Sequence, residues 1–305
     1  MIIDAHSHVH DPLGAHIALL DEAGVDRAVL FGTRPHPERA TTLAELREEM
    51  ALLNTALAGA PAASPADPAR MPAIPASAAA SPASAGPASA GPAPTLAAPA
   101  PAPVDNQLVV YQRARRELHD ALAAHPDRFI GFGSVPLDQS AGEIAAEVER
   151  EVVGPGLRGI GELTPPPGQA SRIEPVLRAA TEHGGLPVVV HGFAPTTAND
   201  LATLAALARR YPRVPLVISQ LGGSNWLTAI ELVRATPNTY LELSTANVIF
   251  AVRLAIAEIP DRTLFGSDAP YGDPVLARAT VERVTKPGLL RDQVLGGTFA
   301  ELLEL

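Results

Sequence analysis

At 305 residues and 47% hydrophobic content, the chain is long enough to bury a sizeable core, as one large α/β domain or two smaller ones. Twenty-three Lys and Arg against 33 Asp and Glu give a formal net charge of -10, which disfavours nucleic acid or an anionic membrane surface as partner and leaves a small molecule as the expected one. Cysteine is absent, so disulfides are excluded and any metal has to be held by His and carboxylate, a donor set that suits zinc, manganese or iron.

The opening, "MIIDAHSHVH", places three of the nine histidines within ten residues. Read as a strand, it puts Asp4, His6, His8 and His10 on one side and Ile3, Ala5, Ser7 and Val9 on the other. No basic or apolar leader precedes Ile2, and the greasiest later run, "VIFAVRLAIAEI", is short and carries Arg253, so the expectation is a soluble cytoplasmic protein without a membrane segment. After "HIALLDEAG" and a second strand, "RAVLFG", comes a long helical pattern, "TLAELREEMALLNTALA". Residues 59–104 then break with everything around them: 39 of these 46 residues are Ala, Pro, Ser or Gly. With that many prolines and almost nothing large to bury, the segment is expected to be a disordered insertion. A flexible loop can sit inside a domain at small cost, so residues 1–58 and 105–305 are read as one unit.

Beyond the insertion the chain alternates helical patterns with short β-branched runs: "FIGFGSV", "LRGIGEL", "PVVVHG", "PLVISQ", "TYLELS" and "TLFGSD". With the first two runs this makes eight strands separated by helices. The pattern predicts parallel βαβ units, and the length without the insertion is near the roughly 250 residues of a (β/α)8 TIM barrel. The strand ends read His8, Gly32, Ser134, Glu162, His191, Gln220, Ser244 and Asp268. Strand C-termini of such a barrel meet at one mouth, so these residues are expected to converge. His6, His8, His191 and Asp268 form a candidate metal-ligand set. One divalent cation is expected, zinc first and manganese or iron as alternatives. It would lower the pKa of a bound water toward about 7, with Asp268 as proton acceptor. Asp4 is the candidate to fix a histidine tautomer from behind.

Five motifs carry a resemblance: "DAHSHVH", "HPDRFIGFGSVP", "PVVVH", "LGG" after strand six, and "LFGSDAP". In that order they resemble the amidohydrolase superfamily, and most of all its amidohydrolase-2 branch, which includes relatives of aminocarboxymuconate-semialdehyde decarboxylase. The resemblance implies a (β/α)8 barrel with a divalent metal, and carries ligand roles onto His6, His8, His191 and Asp268. Two departures stand out. Where the family usually has a histidine closing strand six, this chain reads "SQLGG", so Gln220 takes that place; an amide is a poor base and a weak zinc ligand but can donate to a substrate carbonyl. "GIGELTP" resembles the strand-four "GE" of the metal-dependent DNase branch, where the Glu is a metal ligand, and that resemblance implies Glu162 as a further ligand or a proton shuttle.

The leading expectation is therefore a metal-dependent hydrolase of a C–N or C–O bond, in an amide, lactam or lactone. Asp268 and Glu162 are its catalytic candidates; Gln220, Arg34 and Tyr271 would bind substrate. The alternatives are a nonoxidative decarboxylase of an aromatic or unsaturated acid, a metal-free lactonase, and a non-catalytic binding barrel. Against these roles stand plainer ones: an internal Glu162–Arg158 ion pair, an ordinary loop position for His10, and solvated loop charge at Arg34 and His36. A homo-oligomer is compatible with the sequence.

Overall fold

The computed structural model describes residues 1–32, 39–48 and 104–305, with side chains from 112 onward in the last segment. Eight parallel strands form one sheet in sequence order: β1 (Ile3–His8), β2 (Arg27–Phe31), β3 (Phe129–Gly133), β4 (Gly159–Leu163), β5 (Val188–Val190), β6 (Leu216–Ile218), β7 (Thr239–Glu242) and β8 (Thr263–Leu264). The sheet comes round on itself where Ser7 bridges Ala269 and the Asp268 N–H donates to the His6 carbonyl at 2.7 Å. Between and after the strands lie α1 (Leu13–Glu22), α2 (Val104–Ala124), α3 (Ala141–Val148), α4 (Glu174–Glu182), α5 (Ala198–Arg210), α6 (Trp226–Ala235), α7 (Ile249–Glu258) and α8 (Pro274–Val284). This is the (β/α)8 TIM barrel that the alternation predicts. The Ala/Pro-rich segment lies outside the described residues except for Val104, which opens α2.

Strand alternation sorts the apolar residues into two cores. Ile3, Ala5, Val29, Phe31, Ile130, Phe132, Val189, Val217 and Leu264 fill the barrel, and Phe299 of the C-terminal helix (Thr298–Leu302) closes its floor. Ala28, Leu30, Val188, Val190, Leu216, Ile218 and Leu241 face outward under the helices. Each buried Val, Leu, Ile or Phe contributes about 1.5–3 kcal/mol relative to exposure. The helices start where the sequence provides caps: Ser140 with Glu143 and Thr197 with Asp200 make reciprocal capping boxes, and Asp273 accepts from the Leu276 N–H ahead of Pro274.

Two strands break their own alternation, and both breaks matter at the mouth. The register of β1 shifts between Asp4 and Ser7, and that of β4 between Ile160 and Leu163. Such irregularities re-aim a side chain. In β1 the shift leaves Ile3 and Ala5 inside together with His6 and His8, both of whose rings pack on Phe31 inside the barrel. The expectation that Asp4 shares a face with these histidines is thereby corrected. In β4 Ile160 and Leu163 both face the outer core, and Glu162 reaches the histidines inside. Arg158 is exposed and donates to the Leu303 carbonyl, so the ion pair with Glu162 that strict alternation suggests does not form.

Candidate metal centre

The centre is built around His6, which is fully buried. Its Nδ1 lies 3.0 Å from Oε2 of Glu242, an acceptor-only carboxylate, so Nδ1 carries a proton and, in the neutral ring, the Nε2 lone pair points the other way. There it meets Nε2 of His8 at 3.3 Å and Oδ1 of Asp268 at 3.3 Å; His8 Nε2 and Asp268 Oδ1 are 3.2 Å apart. A tetrahedral ion with ligands at about 2.05 Å spaces them about 3.3 Å apart, so the triangle has the size of one face of such a site. Asp268 Oδ1 is buried and faces the Nε2 atoms of His6 and His8, the place of an oxygen that shares a cation with them. Among the described residues these three are the group whose donor atoms could hold one ion.

Glu162 borders the triangle, with Oε1 3.7 Å from His6 Nε2 and Oε2 3.9 Å from His8 Nε2. It is steadied from behind by Ser219 Oγ, which donates at 2.8 Å, and by His191 Nδ1 at 3.0 Å. His191, expected as a third imidazole ligand, is thus joined to the centre through Glu162, and its Nε2 faces the Ala194 carbonyl at 3.1 Å. Gln220, expected to bind substrate, is 4% exposed and spends both ends of its amide on the protein: Nε2 donates to Asp268 Oδ2 at 3.0 Å, and Oε1 accepts from the backbone of Gly192 and Phe193. Tyr271 stands at the rim, 40% exposed, its ring edge-on to His8. Arg34 and His36 lie outside the described residues. His10 is buried and stacks on His16, whose Nε2 bonds Ser7 Oγ at 2.7 Å outside the barrel wall.

Glu242 is the residue that sequence reasoning missed. It accepts from His6 Nδ1, from the N–H of Gln220 at 3.1 Å, and from both the N–H and Oγ of Ser244. Its approach depends on Gly266, because a Cβ there would collide with Oε1 of Glu242. Asp4, expected behind a histidine, instead accepts from the N–H and Oγ of Ser267 and from the N–H of His6, and so pins β1 to the end of β8. Its burial raises the carboxyl to about 7, against the pull of those hydrogen bonds.

Charge is concentrated here. Burial alone would favour the neutral ring of His6, but the carboxylates of Glu162, Asp268 and Glu242 outweigh it and lift the imidazole to about 10. Burial likewise opposes ionisation of Glu162 and Asp268, yet the imidazoles beside them, His191 and His6 for Glu162 and His6 and His8 for Asp268, hold both carboxyls below the usual range. Among the described residues no Arg or Lys pairs with these acids. Three carboxylates share His6, His8 and His191 here with no Arg or Lys paired to them among the described residues, an excess of acid that a divalent ion would neutralise.

No curated protein matches the chain. Solved structures of the same architecture include 5-carboxyvanillate decarboxylase from Sphingomonas paucimobilis (16% identity, covering 100% of this chain and 99% of that one, TM-score 0.60). A dihydroxybenzoic acid decarboxylase from Polaromonas sp. JS666, with bound manganese and the inhibitor 2-nitroresorcinol, gives 16% identity, 100% and 97% coverage, and a TM-score of 0.63. A probable 2-pyrone-4,6-dicarboxylic acid hydrolase from Acinetobacter baumannii, with citric acid bound, gives 13%, 100% and 99%, and 0.54. At these identities the likeness shows the fold. The family is shown by the sequence itself: residues 3–304 match the amidohydrolase model of the amidohydrolase-2 group, and the chain belongs to that family.

Proposed function

We propose that this amidohydrolase-family enzyme hydrolyses a C–N or C–O bond in a neutral small molecule, an amide, lactam or lactone, with a divalent cation held by His6, His8 and Asp268 and bordered by Glu162. The observation that carries the reading is the triangle of His6 Nε2, His8 Nε2 and Asp268 Oδ1, with edges of 3.2–3.3 Å. A divalent cation at this place polarises a carbonyl and lowers the pKa of water toward about 7. Zinc, manganese and iron all suit the donor set.

The chain's own groups account for the rest. Glu242 keeps the His6 proton on Nδ1 and so keeps Nε2 available. Asp268 takes the proton of the attacking water at Oδ2, which holds a second lone pair besides the one facing Gln220. Glu162, with His191 hydrogen-bonded to it, is the next proton-carrying pair toward the leaving group. The excess of carboxylate favours a neutral carbonyl over an anionic substrate.

Stripping the protein with a chelator should abolish turnover of a responsive amide or lactone, and adding back zinc or manganese should restore it. Full activity in rigorously metal-free protein would defeat the proposal. A second reading draws on the decarboxylases of the same fold: nonoxidative loss of CO2 from an aromatic or unsaturated acid, with Asp268 delivering the proton to carbon. It needs a cation to receive the substrate carboxylate, for which Arg34 is the candidate. A panel of amides, lactones and aromatic acids assayed for both hydrolysis and CO2 release separates the two.

A further inference from the structure

Strand β6 runs into Ser219 and Gln220, and these two adjacent residues touch all three carboxylates around His6. Ser219 Oγ donates to Glu162, the Gln220 N–H donates to Glu242, and the Gln220 side chain donates to Asp268. The orientation of that side chain is settled by its surroundings. Oε1 accepts from the N–H of Gly192 at 3.2 Å and of Phe193 at 3.0 Å; turned over, the amide would set its own NH2 against two N–H donors and its oxygen against a carboxylate. Nε2 therefore has to face Asp268 Oδ2, 3.0 Å away.

The backbone is shaped for this reach. Gln220 and Leu221 both adopt left-handed conformations, with φ of 56° and 53°, which are strained for residues other than glycine and persist only where the surroundings enforce them. The β5 and β6 ends approach so closely that a Cβ on Gly192 would run into the Ser219 carbonyl. With Oδ2 held by the amide, the other oxygen of Asp268 faces His6 and His8.

We infer that Gln220 is a positioning residue: its carboxamide, braced by the Gly192 and Phe193 N–H groups, turns Asp268 so that Oδ1 completes the cation triangle, and it does not bind substrate. The inference rests on the proposed cation centre. Groups that orient a metal ligand typically change metal affinity by about 10–100-fold when removed. Gln220→Met keeps the volume and removes both ends of the bridge.

The test is a titration of metal-stripped, full-length protein with Mn2+, followed by calorimetry or by the electron paramagnetic resonance signal of free Mn2+, alongside steady-state kinetics. The expected result is Mn2+ binding weaker by about 10–100-fold and a lower kcat, with KM within about twofold of wild type. Mn2+ affinity equal to wild type with a raised KM would overturn the inference in favour of substrate contact. Equal affinity with only a lower unfolding temperature would overturn it in favour of simple loop anchoring. Gln220→Asn, one methylene shorter, cannot span the two loop amides and Asp268 together; it should weaken Mn2+ binding in the same direction and serves if the Met variant does not fold. Wild-type protein that takes up no Mn2+ would instead sink the cation centre itself.

Discussion

Glu242 is fully buried and yet accepts from four donors, so removing it exposes how the centre is supported. Glu242→Ala would leave the N–H groups of Gln220 and Ser244 and the ring of His6 without acceptors, at about 1–3 kcal/mol for each buried group left unpaired. Urea unfolding should show a loss on the order of 3 kcal/mol. Mn2+ binding should weaken by about 10–100-fold, because His6 Nδ1 loses the acceptor that fixes its tautomer. The metal-free centre also has a signed pH dependence. The His6 imidazole is raised from 6.5 to about 10, so its charged form adds stability that is fully present below about pH 6.5 and is lost as pH rises toward 10. A cation needs the neutral ring and competes with that proton, so apparent Mn2+ affinity should rise by up to about tenfold per pH unit across the same window. Urea midpoints at pH 6 and 9.5, with and without Mn2+, should therefore move in opposite directions; parallel movement would contradict the assignment. His6, His8 and Asp268 were legible because polar residues at the ends of eight β-branched runs point to a barrel mouth. Glu242 was not, because Ser244 closes that run and drew the assignment two residues too far.

At the scale of elements, the strands and helices follow the periodicity of the sequence closely, while the faces they present do so only in part. Strict alternation is the rule that fails at two strands. It misassigns Asp4 in β1 and pairs Glu162 with Arg158 in β4, because nothing in "IDAHSH" or "GIGEL" announces a register shift that depends on the neighbouring strands. The loops are tied down by side chains that read in the sequence as ordinary helix caps. Asp200 completes the capping box of α5 with Thr197, and its carboxylate also accepts from the N–H of Gly168 and of Ala170 in the loop that follows β4. Asp200→Ala should thus cost more than a lone cap, about 2 kcal/mol, since it releases the α5 N-terminus and the β4 loop together. Its urea midpoint should fall well below that of Glu143→Ala at the exposed capping box of α3, whose carboxylate serves only Ser140. Equal losses for the two variants would show that the loop tether contributes nothing.

For the whole molecule, the question is which parts of the chain the centre needs. Its side chains come from β1 and from the ends of β4 through β8, and the barrel closes by direct bonding of the β8 end to β1. Of the residues proposed for the site, Arg34 belongs to the crossover from β2 to β3 and precedes the Ala/Pro-rich residues 59–104. Loop closure in a flexible chain varies as the logarithm of length, each doubling costing only about 0.6 kcal/mol, so shortening this connection should change barrel stability by no more than about 1–2 kcal/mol. Replacing residues 60–103 with a short Gly/Ser linker is therefore expected to give a protein that unfolds within a few degrees of wild type and binds Mn2+ with affinity unchanged within about twofold. Turnover should persist too, because α2 and everything after it remain in place. A variant that folds but no longer binds Mn2+ would mean that the segment reaches the mouth and takes part in the centre, and the single-barrel reading of residues 1–58 and 105–305 would have to be given up.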